Sequence, residues 1–336
     1  MQLGVFSLTD LSGAATPSRR VRDLVDSGVH ADQVGMDVFG VGEHHTLRFA
    51  VSSPAVVLAA IAAKTSTITL TSAVSVLSVL DPIRLHQDFA QLDLVSGGRA
   101  EITAGRSAYT EPFDIFGVPL ADYDAVFEEK LGLLLRVRTE AEVTWAGHFR
   151  APLDQAVITP RLDRPLPVRL GVGGTPASVA RAARLGLPVT VALLGGSAPQ
   201  LRPVVERYWE VGEQHGHLRE DLSVGVASHF FVGSTSQGAR ETFYPHYRSY
   251  FADGRGQHLG RSEFDEMASP DGPLVVGSPA EVADKVLRQQ ELLGSDRFMG
   301  QIDIGGLPQS AVLSSIDRFA HDVAPIVRRE HQHRTR

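Results

Sequence analysis

The sequence contains no cysteine. That absence excludes disulfides, thiolate metal sites, iron–sulfur clusters and cysteine nucleophiles, and it points to a reducing, cytoplasmic setting. Positive charge is also scarce: 32 lysines and arginines stand against 39 acidic residues, a formal net charge of −7. A mildly acidic surface argues against nucleic acid or an anionic membrane as the main partner. Long hydrophobic runs are missing as well. The longest, Ala55 to Ala63, stops at Lys64 after nine residues, whereas a membrane-spanning helix needs about 20. The opening Met1-Gln2-Leu3-Gly4-Val5-Phe6 has neither the basic start nor the apolar core of a secretion signal, so export is not implied and the stretch reads as a β-strand.

What remains is ordinary globular material, 43% hydrophobic and 21% charged over 336 residues. Such a length suits two domains of roughly 100–200 residues, or one α/β barrel with insertions. The pattern favours the second. Apolar strand candidates at Leu3–Ser7, Val38–Gly42, Thr67–Val74, Arg99–Ala104, Val168–Val172, Val189–Leu193, Val224–Val232 and Phe298–Ile304 alternate with helical patterns. Eight such units without a linker predict a (β/α)8 TIM barrel spanning residues 1–325. Two stretches break the alternation and are expected as insertions, near 145–162 and 253–293. The first carries Trp145, Gly147 and Phe149 and suits a hairpin or lid; the second contains a helix from Ser278 as N-cap and Pro279 as first helical residue. Both are expected to build the substrate pocket. Residues 326–336 are basic and are expected to form a frayed, solvated tail.

Barrel active sites lie at the C-terminal ends of strands, so polar clusters there carry the functional argument. Gly42-Glu43-His44-His45 follows the second strand. Strand alternation puts Glu43 and His45 on one side and His44 on the other, where a histidine could serve as acid or base because it titrates near neutral pH. A metal site needs three or four ligands, and no partner stands at helical spacing, so none is expected. Arg106 follows the fourth strand and offers a forked cation to a phosphate, or pairs with Glu101 or Glu111. Gly171-Val172-Gly173-Gly174-Thr175-Pro176-Ala177-Ser178 puts glycines and a capped helix N-terminus at the fifth strand-to-helix turn. That is a phosphate cradle or an ordinary well-capped turn. It fits neither the dinucleotide fingerprint nor a Walker A loop. Small residues at Thr71-Ser72-Ala73-Val74-Ser75, and Gly195 and Gly196 after the sixth strand, suit either barrel packing or a flat ring lying against the backbone.

Taken in order, these segments resemble the bacterial-luciferase-like flavin-dependent monooxygenases. The resemblance runs through Val41-Gly42-Glu43-His44-His45, Ser72-Ala73-Val74, Asp81-Pro82-Ile83-Arg84, Leu94-Val95-Ser96-Gly97-Gly98-Arg99 and Gly105-Arg106 with Phe113-Asp114-Ile115-Phe116-Gly117. It ends in Gly173-Gly174-Thr175-Pro176-Ala177-Ser178 with Ala182-Ala183-Arg184-Leu185-Gly186. It implies a barrel that takes reduced FMN from a separate NAD(P)H-dependent flavin reductase and inserts one oxygen atom of O2 into a small, partly apolar organic substrate, as a homodimer. Arg106, Thr175 and Ser178 would hold the FMN phosphate, with a backbone N–H from Gly174. His44 would be the acid/base at the reactive face, Ala73-Val74 would form a cis peptide beneath the ring, and Gly195 would help wall it. Ser107 replaces a glycine of many relatives. Gly174 replaces an acidic residue of the luciferase itself, and light emission is not implied. The resemblance also admits hydride transfer with a 5-deazaflavin, or a non-catalytic flavin-binding barrel.

Overall fold

A computed structural model describes residues 1–13, 16–256 and 258–334. Eight parallel strands close into a ring. The first strand, Gln2–Ser7, pairs with the second, Val38–Val41, on one side and with the eighth, Arg297–Gln301, on the other. The third (Thr69–Ser72), fourth (Ala100–Gly105), fifth (Val168–Val172), sixth (Val189–Ala192) and seventh (Val224–Val232) complete the circuit in chain order, the seventh pairing with the eighth. This is the expected (β/α)8 TIM barrel.

Helices pack outside the ring, and their starts explain themselves in the sequence. Pro17, Pro54, Pro82, Pro176 and Pro279 each open a helix at its first turn, where a missing N–H costs nothing. The Asp81 carboxylate caps one of them by accepting the N–H groups of Ile83 and Arg84 at 2.9 and 3.2 Å. Ser278 and Glu281 close a reciprocal capping box on another. Strand residues such as Leu3, Val5, Phe39 and Ile102, fully buried, face these helices and form the main core. A smaller cluster of Phe6, Val38, Ala227 and Met299 belongs to the alternate, inward face.

The floor of the barrel is ionic. Glu101, on the fourth strand, accepts two bonds from Arg297 on the eighth, at 2.6 and 3.0 Å. Arg169, on the fifth, donates to the Val189 carbonyl at 2.7 Å and to Ser223 Oγ at 2.9 Å. Burial alone would raise the Glu101 pKa, yet the Arg297 guanidinium holds it below the usual carboxylate value. Burial likewise pulls Arg169 down to about 10.

The segments outside the alternation correct three expectations. The first is a hairpin, Glu142–Trp145 against Leu153–Val157, but it packs on the outside of the helix Tyr123–Thr139, with Val143 and Ile158 against Leu133 and Val137. The Glu129 carboxylate pins its tip by accepting backbone N–H groups of His148, Phe149 and Arg150. The second is two helices: one from the seventh strand continues through Arg255, and another spans Arg261–Met267, with residue 257 outside the described residues. No described residue of 145–162 or 253–273 lines the central cavity. The third is the tail. Ala324–Arg334 is helical, Val327 is fully buried, and Arg328 bonds Asp37 at 2.9 Å. The buried valine and the long-range ion pair override the polar composition; residues 335 and 336 lie outside the described residues.

Candidate functional site

A cavity of about 340 Å³ opens at the C-terminal ends of the strands and is lined mainly by small and apolar side chains. Its shape depends on one notch. A Cβ at Gly105 or at Gly171 would stand 2.4 Å from a methyl of Val74, so only glycine on the fourth and fifth strands lets Val74 seat between them. The peptide between Ala73 and Val74 is cis, as expected. Ser72 fixes the preceding backbone, its Oγ donating to the Thr103 carbonyl at 3.0 Å and accepting the Thr103 N–H at 3.1 Å.

One rim of the cavity gathers a guanidinium and two hydroxyls. Arg106 Nη2 donates to Ser178 Oγ at 2.6 Å, and Ser178 Oγ lies 2.7 Å from Thr175 Oγ1. Thr175 is the N-cap residue of the helix Pro176–Arg184 by backbone geometry, but its hydroxyl turns to Ser178 instead of capping an N–H. Pro176 has no N–H and the Ser178 N–H donates to the Thr175 carbonyl at 3.1 Å, so it is the helix end as a dipole that stands beside two hydroxyls and a guanidinium. Arg106 also lies over the Tyr123 ring, 4.9 Å from its centroid, and its ionic partner is Asp124, neither Glu101 nor Glu111. Asp124 further lies 3.5 Å from Arg181. Ser107, next in sequence, adopts φ +83°, a conformation glycine takes more readily.

His44 forms part of the opposite wall. Its ring stacks on Phe49 with centroids 3.9 Å apart and meets Tyr109 edge-on at 5.4 Å. His45 turns the other way and pairs with Glu43 at 2.8 Å, while the second oxygen of Glu43 accepts the Val76 N–H at 3.0 Å. The alternation read from the sequence therefore holds, but the titration does not. Burial, with smaller contributions from His45 and Arg48, pulls His44 down to about 3. It is neutral across the physiological range, not poised between two states. Its Nε2 is buried without a hydrogen-bond partner among the described residues.

The structure thus brings His44, Ala73, Val74, Arg106 and Thr175 onto one cavity, with Ser178 bonded to Arg106 behind it. Gly174, at φ +87°, sits between the lining residues Gly173 and Thr175 without lining the cavity itself. Gly195 is exposed and stays outside; its neighbour Leu194 supplies the wall instead, because that side chain reaches inward and a glycine has none to send. Sequence reasoning missed Tyr123 and Asp124 beside Arg106, and the buried Gln301 on the cavity wall. A carboxylate 18 positions after Arg106 gives no signal until the fold places it.

The alkanal monooxygenase alpha chain of Photorhabdus laumondii is 26% identical to this chain over 98% of both. The crystal structure of monooxygenase RslO1 from Streptomyces bottropensis superposes with a TM-score of 0.86 at 22% identity, covering 97% of this chain and 99% of that one. The oxygenating constituent of 3,6-diketocamphane monooxygenase from the CAM plasmid of Pseudomonas putida, solved with FMN, superposes at 0.79 and 17% identity, covering 97% and 98%. A sequence model of the luciferase-like monooxygenases matches residues 1–296, and with that span, this barrel and these neighbours the chain belongs to the luciferase-like monooxygenase family.

Proposed function

We propose that the protein is the oxygenase component of a two-component system, taking reduced FMN from a separate flavin reductase and using O2 to oxidise a small, partly apolar organic molecule. The observation that carries this reading is the meeting of Arg106, Thr175 and Ser178 at one rim of an otherwise apolar cavity. A phosphate is the group that a forked cation, two hydroxyls and a helix N-terminus suit together. The wall beyond them suits a flat ring: Val74 sits over its glycine notch among small and apolar side chains, and of the other charged lining residues Arg297 lies at the floor and Glu43 is engaged by His45 and the Val76 N–H. The residues therefore fit FMN. When bound, reduced FMN would supply the electrons that activate O2.

The chain's own contribution is then threefold. Arg106, Thr175 and Ser178 hold the anionic end. The apolar wall of Val74, Val172 and Leu194 keeps water from the far end. His44 presents a neutral ring nitrogen, Nε2, able to exchange a hydrogen bond or hold a proton against developing negative charge. The diketocamphane enzyme's FMN complex and the alkanal monooxygenase relative support this assignment.

The test supplies reduced FMN and isotopically labelled O2 together with a panel of aldehydes, ketones and alkanesulfonates. Label entering an organic product is the expected result. Turnover under anaerobic conditions with a reduced 5-deazaflavin coenzyme would overturn the oxygenase reading, and flavin binding with no product from any class would favour a non-catalytic barrel.

A further inference from the structure

We infer that Asp124 is a built-in competitor for the phosphate, a specificity-determining carboxylate that keeps flavin affinity low and flavin exchange fast; this rests on the phosphate reading above. Arg106 has two ends in use. One guanidinium nitrogen bonds Ser178 Oγ at 2.6 Å, within the cradle, and the other bonds the Asp124 carboxylate. The same carboxylate oxygen lies 3.5 Å from Arg181. Asp124 therefore neutralises the charge that a phosphate needs, and an arriving dianion meets a like charge on the shared arginine.

Two features favour competition over support. Arg106 is oriented without Asp124, by the Tyr123 ring beneath it and by Ser178. Asp124 itself is 68% exposed on the first turn of the helix Tyr123–Thr139. A carboxylate that far into solvent can turn away from Arg106 without losing its hydration, so displacement is cheap. Arg181 does not follow it out, because it is only 10% exposed and also reaches Glu128 at 3.4 Å. The arrangement suits a flavin that arrives reduced and leaves oxidised in each cycle, and it would serve a tightly resident flavin poorly.

The experiment titrates FMN and riboflavin against wild-type protein, Asp124→Asn and Asp124→Ala, at low and high salt, with inorganic phosphate as competitor. Both variants should bind FMN roughly two- to fivefold more tightly at low salt, the range for loss of one partly exposed like charge. Riboflavin affinity should not change, inorganic phosphate should compete better, FMN release should slow, and high salt should shrink the gain. Using both Asn and Ala separates loss of charge from any new bond made by an amide. Unchanged or weaker FMN binding in both variants, with wild type still preferring FMN over riboflavin, would overturn this inference and leave the cradle standing. A wild-type protein with no preference for FMN over riboflavin would instead sink the cradle itself.

Discussion

Replacing His44 tests how a buried imidazole works when it is never charged at rest. With its pKa pulled down to about 3, only about one ring in 10⁴ is protonated at pH 7, and placing a proton there costs about 5 kcal/mol. The ring therefore acts as a neutral partner, taking up a proton only when negative charge develops next to Nε2. His44→Ala should lower the rate of substrate oxidation by about 10², the low end for acid–base assistance because the ring's pKa lies far from the working pH. It should divert reduced flavin to hydrogen peroxide, and leave FMN affinity nearly unchanged, because His44 bonds none of Arg106, Thr175 or Ser178. His45→Ala, which removes only the 2.8 Å contact to Glu43 and a ring contact to Phe116, should cost much less. The assay measures product, peroxide and FMN affinity for both variants between pH 5 and pH 9. Across that range the wild-type rate should show no limb that belongs to His44, since the group does not titrate there. A limb near pH 6.5 that disappears in His44→Ala would refute the argument, as would wild-type coupling in that variant.

Three further outcomes follow from other parts of the structure. Arg106→Ala removes charge-assisted bonds worth about 1.5–3 kcal/mol and should weaken FMN by roughly 10- to 150-fold while riboflavin loses little; equal losses for the two ligands would put the phosphate elsewhere. Glu101→Gln leaves Arg297 without its carboxylate on the barrel floor and should cost about 3–5 kcal/mol of unfolding free energy, read from denaturant melts, with a loss under 1 kcal/mol counting against an ionic floor. Because the folded Glu101 pKa is depressed by Arg297, this stabilisation is present above the ordinary glutamate value and is lost as pH falls through the lower folded one. Gly171→Ala puts a methyl 2.4 Å from Val74 and should cost about 1–3 kcal/mol through overpacking, and adding Val74→Ala should recover most of the stability but not the flavin affinity.

Much of this molecule is legible in its sequence, for a specific reason. Each barrel strand is a short apolar run closed by a polar or glycine-rich turn, and several helices announce themselves with a cap residue and a proline. Local signals therefore suffice for the alternation and for the gathering of His44, Arg106 and Thr175 at one cavity, with Ser178 beside Arg106. What escapes is whatever depends on which strands become neighbours. Glu101 looks like a partner for nearby Arg106, yet it binds Arg297, 196 positions away, because the fourth and eighth strands send both side chains to the same floor. Asp303, fully buried and raised to about 7 chiefly by burial, pairs with Arg20 at 2.6 Å across 283 positions. The C-terminal helix misleads for the same reason: its basic residues are largely solvated, but Val327 is buried and Arg328 reaches Asp37 from the far end of the chain. Gly195 shows the limit of composition, since a glycine suited to a ring wall still depends on which way its strand end turns.

The pairing of the first strand with the eighth also sets a timetable. Gln2 through Phe6 align with Arg297 through Gln301, so one edge of the first strand waits for residues made nearly 300 positions later. At about 5–20 residues per second of synthesis, that edge stays open for roughly 15–60 s. Its backbone groups are meanwhile available to other chains, the hazard of any unpaired parallel edge. Asp37 lengthens the dependence, since the carboxylate that accepts the Leu3 N–H at 2.7 Å is itself held by Arg328, 291 positions further along the chain. The growing chain thus carries an open strand edge from its earliest residues until 297–301 are in place to close it.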